Sequence, residues 1–474
     1  FGTDEFLRFC EALGIEPHIV TNLANGTPEE AAEWVEYCNG SADTPMGRLR
    51  AENGRTQPYK VKYWELGNEQ FGDATWTANR SIQYNELMKQ KDPSILTIVD
   101  GNIWGWYWYI QKMMPVVYGK CDIYAWHDTQ TFCYDPRVTR DENYTSFMGG
   151  INIRENDVKN VINWLKELNC FEGTKIGVSE VWQHYFHRST DWSDTVLQAF
   201  SLESGLWTAS LFSMYQRQPD CFILGERTHG LGFLRGGIDT NRNMRSFYPS
   251  PTYWALNMTT NHSGTAHIYS ETECETFSFD KKSCLEGVTE AKYIDANITA
   301  TKDTLFISVV NRYINDSAKV TFNINEFVTE PNMQVYELYS PNYTDYNSPE
   351  DPDKIKPRQF QIKTTNQYTF PPHSFTILAI PCSDALNDVE AETNSKLHTS
   401  PNPFNDYVSL AIENDVLGTI EIIDVFGNAL YSNSFVGGKD EIRVNSADWP
   451  QGVYFIKYTT TDSTTISKIV KISK

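Results

Sequence analysis

The sequence lacks long apolar runs and an excess of basic residues, and these shortages exclude several classes of protein. No segment approaches the roughly 18 apolar residues that a membrane-spanning helix needs. The chain has 40 Lys and Arg against 61 Asp and Glu, a formal net charge of -21. Because a polyanion repels phosphate backbones, nucleic acid is not expected as a partner. The nine cysteines follow no zinc-ligand spacing, and they permit disulfides without defining a pairing.

Aromatic residues, in contrast, are abundant. The chain contains 13 Trp, 26 Tyr and 25 Phe, which together make 14% of its residues. Flat apolar ring faces stack on sugar rings, so this excess is typical of a carbohydrate-active protein, although large aromatic cores explain it equally well. With 474 residues, the chain has room for two to four domains.

Residues 1–264 alternate short apolar runs with amphipathic stretches, which predicts an α/β domain with parallel strands. One predicted helix runs from Pro28 to Tyr37 with Thr27 as its N-cap, and another runs from Asn156 to Leu168. A (β/α)8 barrel needs eight strands, so six indicate an incomplete barrel. The six predicted strands are Glu16–Val20, Val61–Leu66, Ile95–Val99, Asp122–Trp126, Lys175–Ser179 and Cys221–Leu224.

The remainder of the chain is predicted to be all-β. Residues 265–382 alternate strands and turns and indicate a β-sandwich. Residues 383–398 are polar and acidic and are interpreted as a linker. Residues 399–474 form a second, small, Ig-like β unit. The predicted fold class is therefore α/β plus all-β.

Two glutamates follow predicted strands in the way that glycoside hydrolysis requires. Many glycosidases use two carboxyl groups, one as proton donor and one as nucleophile or base. In a barrel, such groups lie at the carboxyl ends of strands. Glu69 follows the strand at Tyr63–Leu66, and Glu180 ends the run that begins at Lys175. Glu65 shares a strand face with Glu69 by the period of two, and we interpret it as a buried structural carboxylate.

Three segments resemble the family 51 glycoside hydrolases, which are chiefly α-L-arabinofuranosidases with some endoglucanases. They are Gly2–Leu7, Asn25–Gly40 and Tyr63–Glu69. The resemblance implies a retaining mechanism on a TIM barrel, with Glu69 as acid/base on strand four and Glu180 as nucleophile on strand seven. It implies that Asn68 hydrogen-bonds the sugar 2-hydroxyl and that no metal or organic cofactor is needed. It also implies that the chain holds strands three to eight and begins after the first two.

Other residues are candidates for substrate contact. His127 either holds a catalytic carboxylate or is a satisfied core histidine, and both interpretations stay open. Trp104, with its aromatic neighbours, either lines a sugar cleft or packs within its loop, and Trp182 lies two residues after Glu180. His127-Asp128-Thr129 stands where the family usually has His-x-Tyr. We expect an arabinofuranosidase that acts on arabinose-containing polysaccharide. An endo-acting glucanase or other hydrolase on the same barrel, and a non-catalytic carbohydrate-binding relative, are the alternatives.

The last 76 residues resemble a second known family. Ser400–Phe404, Ile420–Asn428 and Gly452–Ile456 are similar to the C-terminal sorting domain of the type IX secretion system in Bacteroidota. The resemblance implies export across the outer membrane, to the cell surface or the medium, with the secretion machinery as a partner. A plain Ig-like adhesion module is the alternative. Self-association into a homo-oligomer stays open.

Overall fold

The structure is a computed structural model that describes most of the chain. It describes residues 1–70, 72–103, 106–135, 137–187, 200–218, 222–227, 234–238, 244–282, 285–324, 328–383, 397–400, 404–414, 418–424, 429–435, 438–460 and 464–471. Some strand side chains in these ranges, including those of residues 103, 129–134 and 182–187, lie outside the description. The chain divides into two compact units, Phe1–Ala385 and Leu386–Lys474.

Six parallel strands form the sheet that opens the first unit. Their spatial order, β1-β2-β3-β4-β5-β6, is the order of the chain. The six predicted strands and their parallel arrangement are confirmed. The strands are β1 (His18–Thr21), β2 (Tyr63–Leu66), β3 (Leu96–Ile103), β4 (Ile123–Tyr134), β5 (Lys175–His187) and β6 (Phe222–Arg227).

Eight helices are described, and most of them connect the strands. They are α1 (Thr3–Leu13), α2 (Pro28–Asn39), α3 (Pro45–Glu52), α4 (Ala74–Lys91), α5 (Tyr107–Val117), α6 (Arg140–Glu167), α7 (Leu202–Gln216) and α8 (Pro251–Asn261). The predicted cap of α2 is confirmed: the Glu30 N–H donates to Thr27 Oγ1 (3.1 Å), and the Thr27 N–H donates to Glu30 Oε2 (2.8 Å). Among the described residues, none of the helices combines the length and apolar character needed to cross a membrane.

The helix predicted from Asn156 is wrong in its start. α6 begins at Arg140, because Thr139 and Glu142 form a second capping box of the same kind. A Ser or Thr followed three residues later by Glu is a readable start signal, and here it adds more than four turns to the predicted helix.

Three strands continue by at least four residues beyond their predicted ends. β3, β4 and β5 run on to Ile103, Tyr134 and His187, with register irregularities where the short predicted strands would stop. A β-bulge leaves a residue unpaired and bends the strand without ending it, so side chains near the bulge are re-aimed. The expected strand ends are therefore bulges in longer strands.

Strands and helices of the first unit share one large core with its β-rich part. Trp126 of β4, Trp207 of α7 and Phe375 of the later sheet are each at most 1% exposed and belong to the same cluster. Because the strands of a parallel sheet are covered on both faces, their side chains are apolar on both faces as well. The β-rich part packs against helices that cover the sheet, because Phe375 of the β-rich part and Trp207 of α7 lie in the same core.

The β-rich part follows α8. The antiparallel pair β7 (Leu234–Ile238) and β8 (Met244–Pro249) precedes α8, and the strands after α8 form one seven-stranded sheet and the two-stranded sheets β10-β11 and β14-β18. The two-layer packing of a sandwich stays a prediction. The strands are β9 (Ala266–Ile268), β10 (Thr276–Phe279), β11 (Val288–Lys292), β12 (Ile294–Ala300), β13 (Thr304–Asn311), β14 (Ala318–Thr321), β15 (Val328–Thr329), β16 (Asn332–Leu338), β17 (Arg358–Lys363), β18 (Gln367–Phe370) and β19 (Ser374–Ser383).

A buried ion pair joins α7 to the seven-stranded sheet. Arg312 Nη2 lies 2.5 Å from Asp295 Oδ2, and Arg217 Nη1 lies 3.0 Å from Asp295 Oδ1. Burial opposes ionisation of Asp295, but the two guanidinium groups outweigh it and hold the pKa of this carboxyl below its usual value. The charges in this cluster therefore depend on one another.

We expect Asp295→Ala to lower the free energy of unfolding by about 3–5 kcal/mol, because it leaves buried guanidinium charge uncompensated. Glu286→Ala is the matched control, since Glu286 pairs with Lys281 and both side chains are more than half exposed. Its removal should change stability by less than about 1 kcal/mol. Urea unfolding of both variants checks this, and equal effects would contradict the assigned role of Asp295.

The second unit consists of two antiparallel sheets around a core of its own. The sheet orders are β20-β21-β24 and β23-β22-β25-β26. Phe404, Ile422 and Ile456 are fully buried in its core. The strands are β20 (Leu397–Ser400), β21 (Tyr407–Asn414), β22 (Gly418–Asp424), β23 (Ala429–Phe435), β24 (Gly438–Asn445), β25 (Gly452–Thr460) and β26 (Thr464–Lys471).

Candidate active site

Glu69 follows β2 and Glu180 lies in β5, which is three strands further along the sheet. Glu69 lies in the loop between β2 and α4. Glu180 lies within β5 and not at its end, which corrects the predicted placement. It pairs with His127 of β4, next to a register shift on each side of the strand. The irregularity re-aims the side chain of Glu180 although the strand continues.

The structure brings the two carboxylates together around His127. His127 Nδ1 lies 3.1 Å from Glu69 Oε1 and 3.4 Å from Glu180 Oε2. One carboxylate oxygen of each glutamate lies within 4.8 Å of one of the other. The glutamate side chains are 23% and 17% exposed, whereas that of His127 is 2% exposed. The two carboxylates are therefore accessible to a ligand, whereas the histidine side chain that contacts them is buried.

A tight loop presents Glu69 after β2. Gly67 has φ +99° and Glu69 has φ +50°, so both adopt left-handed backbone conformations. A Cβ on Gly67 would lie 3.1 Å from the Gln70 side chain and 3.2 Å from that of Leu23, so glycine suits this position. Asn68, the predicted contact to the sugar, is exposed next to Glu69.

Glu65 is buried, as predicted. Its side chain accepts a hydrogen bond from Ser179 Oγ (2.7 Å) and lies 3.2 Å from His18 Nε2. Because these partners come from β5 and β1, Glu65 links three strands of the sheet. Asp128, to which the sequence assigns no role, is buried in an ion pair with Arg154 of α6.

Asp100 is a residue of this region whose role the sequence did not reveal. It is fully buried in β3 and accepts hydrogen bonds from the N–H groups of Gln70 (2.9 Å) and Asn102 (2.8 Å). Burial, and then the negative charge of Glu65, raise the pKa of Asp100 to about 6. His127 lies close to both of these carboxylates and opposes part of this shift.

The raised pKa of Asp100 predicts a pH-dependent contribution to stability. Because the folded value of about 6 exceeds an unfolded value of about 3.9, the folded state binds this proton more tightly. The contribution is fully present below about pH 4 and is lost as the pH rises through about 6. In urea unfolding, the stability of the wild type relative to Asp100→Asn should fall between these values. A flat or rising difference would contradict the prediction.

Aromatic side chains flank the start of α5. The rings of Trp106 and Trp108 lie 5.7 Å apart, and Tyr107 and Trp108 are 39% and 42% exposed. The other two aromatic residues predicted to contact substrate are Trp104 and Trp182. Trp104 and the side chain of Trp182 lie outside the described residues.

Two groups of side chains could hold a metal ion by proximity alone. In the described part of the chain, these are Glu65, Asp100 and His127, and Glu69, His127 and Glu180. In the first group, both oxygens of Asp100 already accept backbone N–H groups, and both oxygens of Glu65 have polar neighbours. The second group is the pair of partly exposed carboxylates with its histidine, an arrangement that can perform acid/base chemistry without a metal.

Comparison with known families and structures shows which proteins this chain is similar to. Residues 1–137 match the family described as "Alpha-L-arabinofuranosidase 1 domain", and residues 238–374 match "Alpha-L-arabinofuranosidase C-terminal domain". An intracellular exo-alpha-L-arabinofuranosidase of Bacteroides ovatus is 24% identical over 78% of this chain and 72% of its own length. The arabinose complex of the Thermotoga maritima alpha-L-arabinofuranosidase superposes with a TM-score of 0.69 at 25% identity, over 80% of this chain and 79% of that one. The chain is similar to the family 51 glycoside hydrolases, one of which, from Thermotoga petrophila, superposes with a TM-score of 0.67 at 25% identity over 80% of this chain and 78% of that one.

These matches confirm the predicted resemblance. The sequence identity to known relatives differs from one part of the chain to another. The alpha-L-arabinofuranosidase C of Emericella nidulans is 45% identical over 129 residues, which is 24% of this chain and 25% of that protein. This chain therefore matches about a quarter of the length of that relative. Glu69 and His127 lie inside the first matched segment, and Glu180 lies between the two segments.

The second unit is matched separately. Residues 400–472 match the family described as "Secretion system C-terminal sorting domain". The predicted sorting domain is thereby confirmed, and it indicates export through the type IX system.

Proposed function

We propose that this chain supplies the catalytic carboxylates of a retaining glycoside hydrolase that releases α-L-arabinofuranosyl groups from arabinose-containing polysaccharide. Glu180 is the nucleophile and Glu69 is the general acid and base. The names of the relatives on both matched segments support the substrate class. The predicted contact from Asn68 to the sugar is part of the same proposal.

The distance between the two carboxylates carries the proposal. Retaining glycosidases hold their carboxyl groups about 5–5.5 Å apart, whereas inverting enzymes leave about 6.5–9.5 Å for a water molecule. One carboxylate oxygen of Glu69 and one of Glu180 lie within 4.8 Å of each other. A retaining mechanism needs its two carboxyl groups close together, so this proximity supports direct attack of Glu180 on the sugar.

The reaction then proceeds in two displacements. Ionised Glu180 attacks the anomeric carbon while protonated Glu69 transfers its proton to the departing oxygen, giving a glycosyl ester and a free alcohol. Glu69, now ionised, takes a proton from water as the water oxygen attacks the anomeric carbon. The ester bond to Glu180 breaks, and the sugar leaves with its original configuration.

His127 lies where it can hydrogen-bond to each of the two carboxylates in turn as the negative charge moves between them during the first displacement. The charge leaves Glu180 when the ester forms and appears on Glu69 when its proton departs. An Nδ1–H group within 3.4 Å of both carboxylates can donate to whichever of them is ionised. This role supports the interpretation that His127 holds a catalytic carboxylate.

The sorting domain supports action outside the cell. An exported enzyme reaches polysaccharides that are too large to enter the cell, and we propose that the mature protein is secreted or held at the cell surface.

Release of nitrophenol from an aryl α-L-arabinofuranoside tests the function. The full-length protein should hydrolyse this substrate, and Glu180→Gln, which keeps the size of the side chain, should not. Release of sugar from a soluble β-glucan without any from the arabinofuranoside would favour the endoglucanase interpretation. Binding of arabinan without turnover of either substrate would favour a carbohydrate-binding relative.

A further inference from the structure

The loop that carries Glu69 has a backbone conformation that needs support from its surroundings. Glu69 has φ +50°, a left-handed conformation that costs a non-glycine residue about 1 kcal/mol or more. Such a conformation persists only where neighbouring groups fix it. The direction of the Glu69 carboxyl therefore depends on what holds the adjacent peptide groups.

Three buried side chains hold the main chain of Gln70, the residue after Glu69. The Gln70 N–H donates to Asp100 Oδ2 (2.9 Å). The Gln70 carbonyl accepts from Asn102 Nδ2 (3.0 Å) and from the Tyr109 hydroxyl (3.1 Å). Asp100, Asn102 and Tyr109 are all fully buried. We call these three residues the Gln70 clamp.

Two residues of the clamp also contact each other. The other oxygen of Asp100 accepts the N–H of Asn102 (2.8 Å), so the two residues fix each other. Asn102 also adopts a left-handed conformation, with φ +67°. Both residues belong to β3, whose pairing with β4 is irregular between Asp100 and Ile103. The irregularity places Asp100 and Asn102 where they can meet the loop after β2.

We infer that the Gln70 clamp positions Glu69 for proton transfer to the leaving group. The inference rests on the proposed function of Glu69 and adds Asp100, Asn102 and Tyr109 as positioning residues. Each of them forms a hydrogen bond with the main chain of Gln70, the residue after Glu69. The nucleophile Glu180, in contrast, is fixed by β5. Loss of the clamp should therefore impair acid catalysis more than nucleophilic attack.

Leaving-group dependence separates these two effects. A 2,4-dinitrophenolate group departs without protonation, whereas an alkyl or sugar alcohol needs the acid. The ratio kcat/KM reports the steps up to the first irreversible one, which is formation of the glycosyl ester. A displaced Glu69 thus lowers kcat/KM for methyl arabinofuranoside and spares that for dinitrophenyl arabinofuranoside. A general loss of folded protein lowers both equally.

The experiment compares both substrates in the wild type and in Asp100→Ala. We expect kcat/KM to fall by roughly 100-fold for the methyl glycoside, because a small misplacement of a catalytic group has this effect. For the dinitrophenyl glycoside it should fall by less than about 3-fold. Asp100→Asn, which keeps one acceptor oxygen for Gln70, should recover part of the loss. If Asp100→Ala fails to fold, Asn102→Ala provides the same comparison by removing one of the two donors to the Gln70 carbonyl.

Asp122→Ala is the matched control. Asp122 also accepts a main-chain N–H of β3, that of Thr97 (2.8 Å), but at the opposite end of the strand from the loop. It should leave the ratio between the two substrates unchanged. An equal fall for both substrates in the Asp100 and Asn102 variants, or no fall, would overturn the clamp. A folded wild type that hydrolyses neither glycoside would instead overturn the proposed function, and the clamp with it.

Discussion

Replacing Glu180 by alanine should lower kcat for every arabinofuranoside by at least about 10⁴-fold, with either a good or a poor leaving group. The carboxylate forms the bond to the anomeric carbon, and no neighbouring side chain in the described site can take its place at that position. Glu69 lies within 4.8 Å of it but is needed as a proton donor. Hydrolysis of nitrophenyl and methyl arabinofuranosides, measured with purified variant, checks the expected loss.

Azide gives this prediction its sharpest test. In Glu180→Ala, the space of the missing carboxylate admits azide, which should attack the anomeric carbon once and give a glycosyl azide of inverted configuration. Glu180→Gln fills the same space and is the matched control, so azide should rescue it far less. Wild-type activity in Glu180→Ala without azide would exclude this residue as the nucleophile.

Replacing Glu69 by alanine should have an effect that depends on the leaving group. Loss of general acid catalysis costs about 10²–10⁴-fold for a substrate whose leaving oxygen needs a proton. For dinitrophenyl arabinofuranoside, kcat/KM should stay near the wild-type value because this leaving group departs as an anion. Its kcat should fall, because water then attacks the glycosyl ester without a base.

Azide distinguishes this variant from the Glu180 variant by the configuration of the product. In Glu69→Ala the ester to Glu180 still forms, and azide attacks it without needing a base, so the glycosyl azide should have retained configuration. Equal losses of kcat/KM for both leaving groups in Glu69→Ala would argue that this residue is not the acid. An inverted azide would have the same meaning.

Local sequence patterns were sufficient to predict the six parallel strands and the pair of glutamates. Apolar runs such as Lys175–Ser179 stand out because strands buried on both faces carry few polar residues. Glu69 and Glu180 were found because each follows or ends such a run. The Thr139 capping signal at the start of α6 was equally local, and it could have been used.

The arrangement around the glutamates could not be predicted in the same way. Bulges at Asp100 and Glu180 depend on how each strand pairs with both neighbours, and one segment of sequence does not contain this information. The two interpretations of His127 could be separated only by its contacts, since a buried histidine and one that holds a carboxylate have the same local sequence. The Gln70 clamp likewise joins residues 30 or more positions apart.

The configuration of the first-formed sugar tests the central claim most directly. Proton NMR of the full-length protein acting on an aryl α-L-arabinofuranoside, recorded before mutarotation, identifies the anomer that is released. Double displacement through Glu180 and Glu69 predicts that α-L-arabinofuranose appears first. Initial release of the β anomer would contradict the retaining mechanism and the assignment of Glu180 as nucleophile.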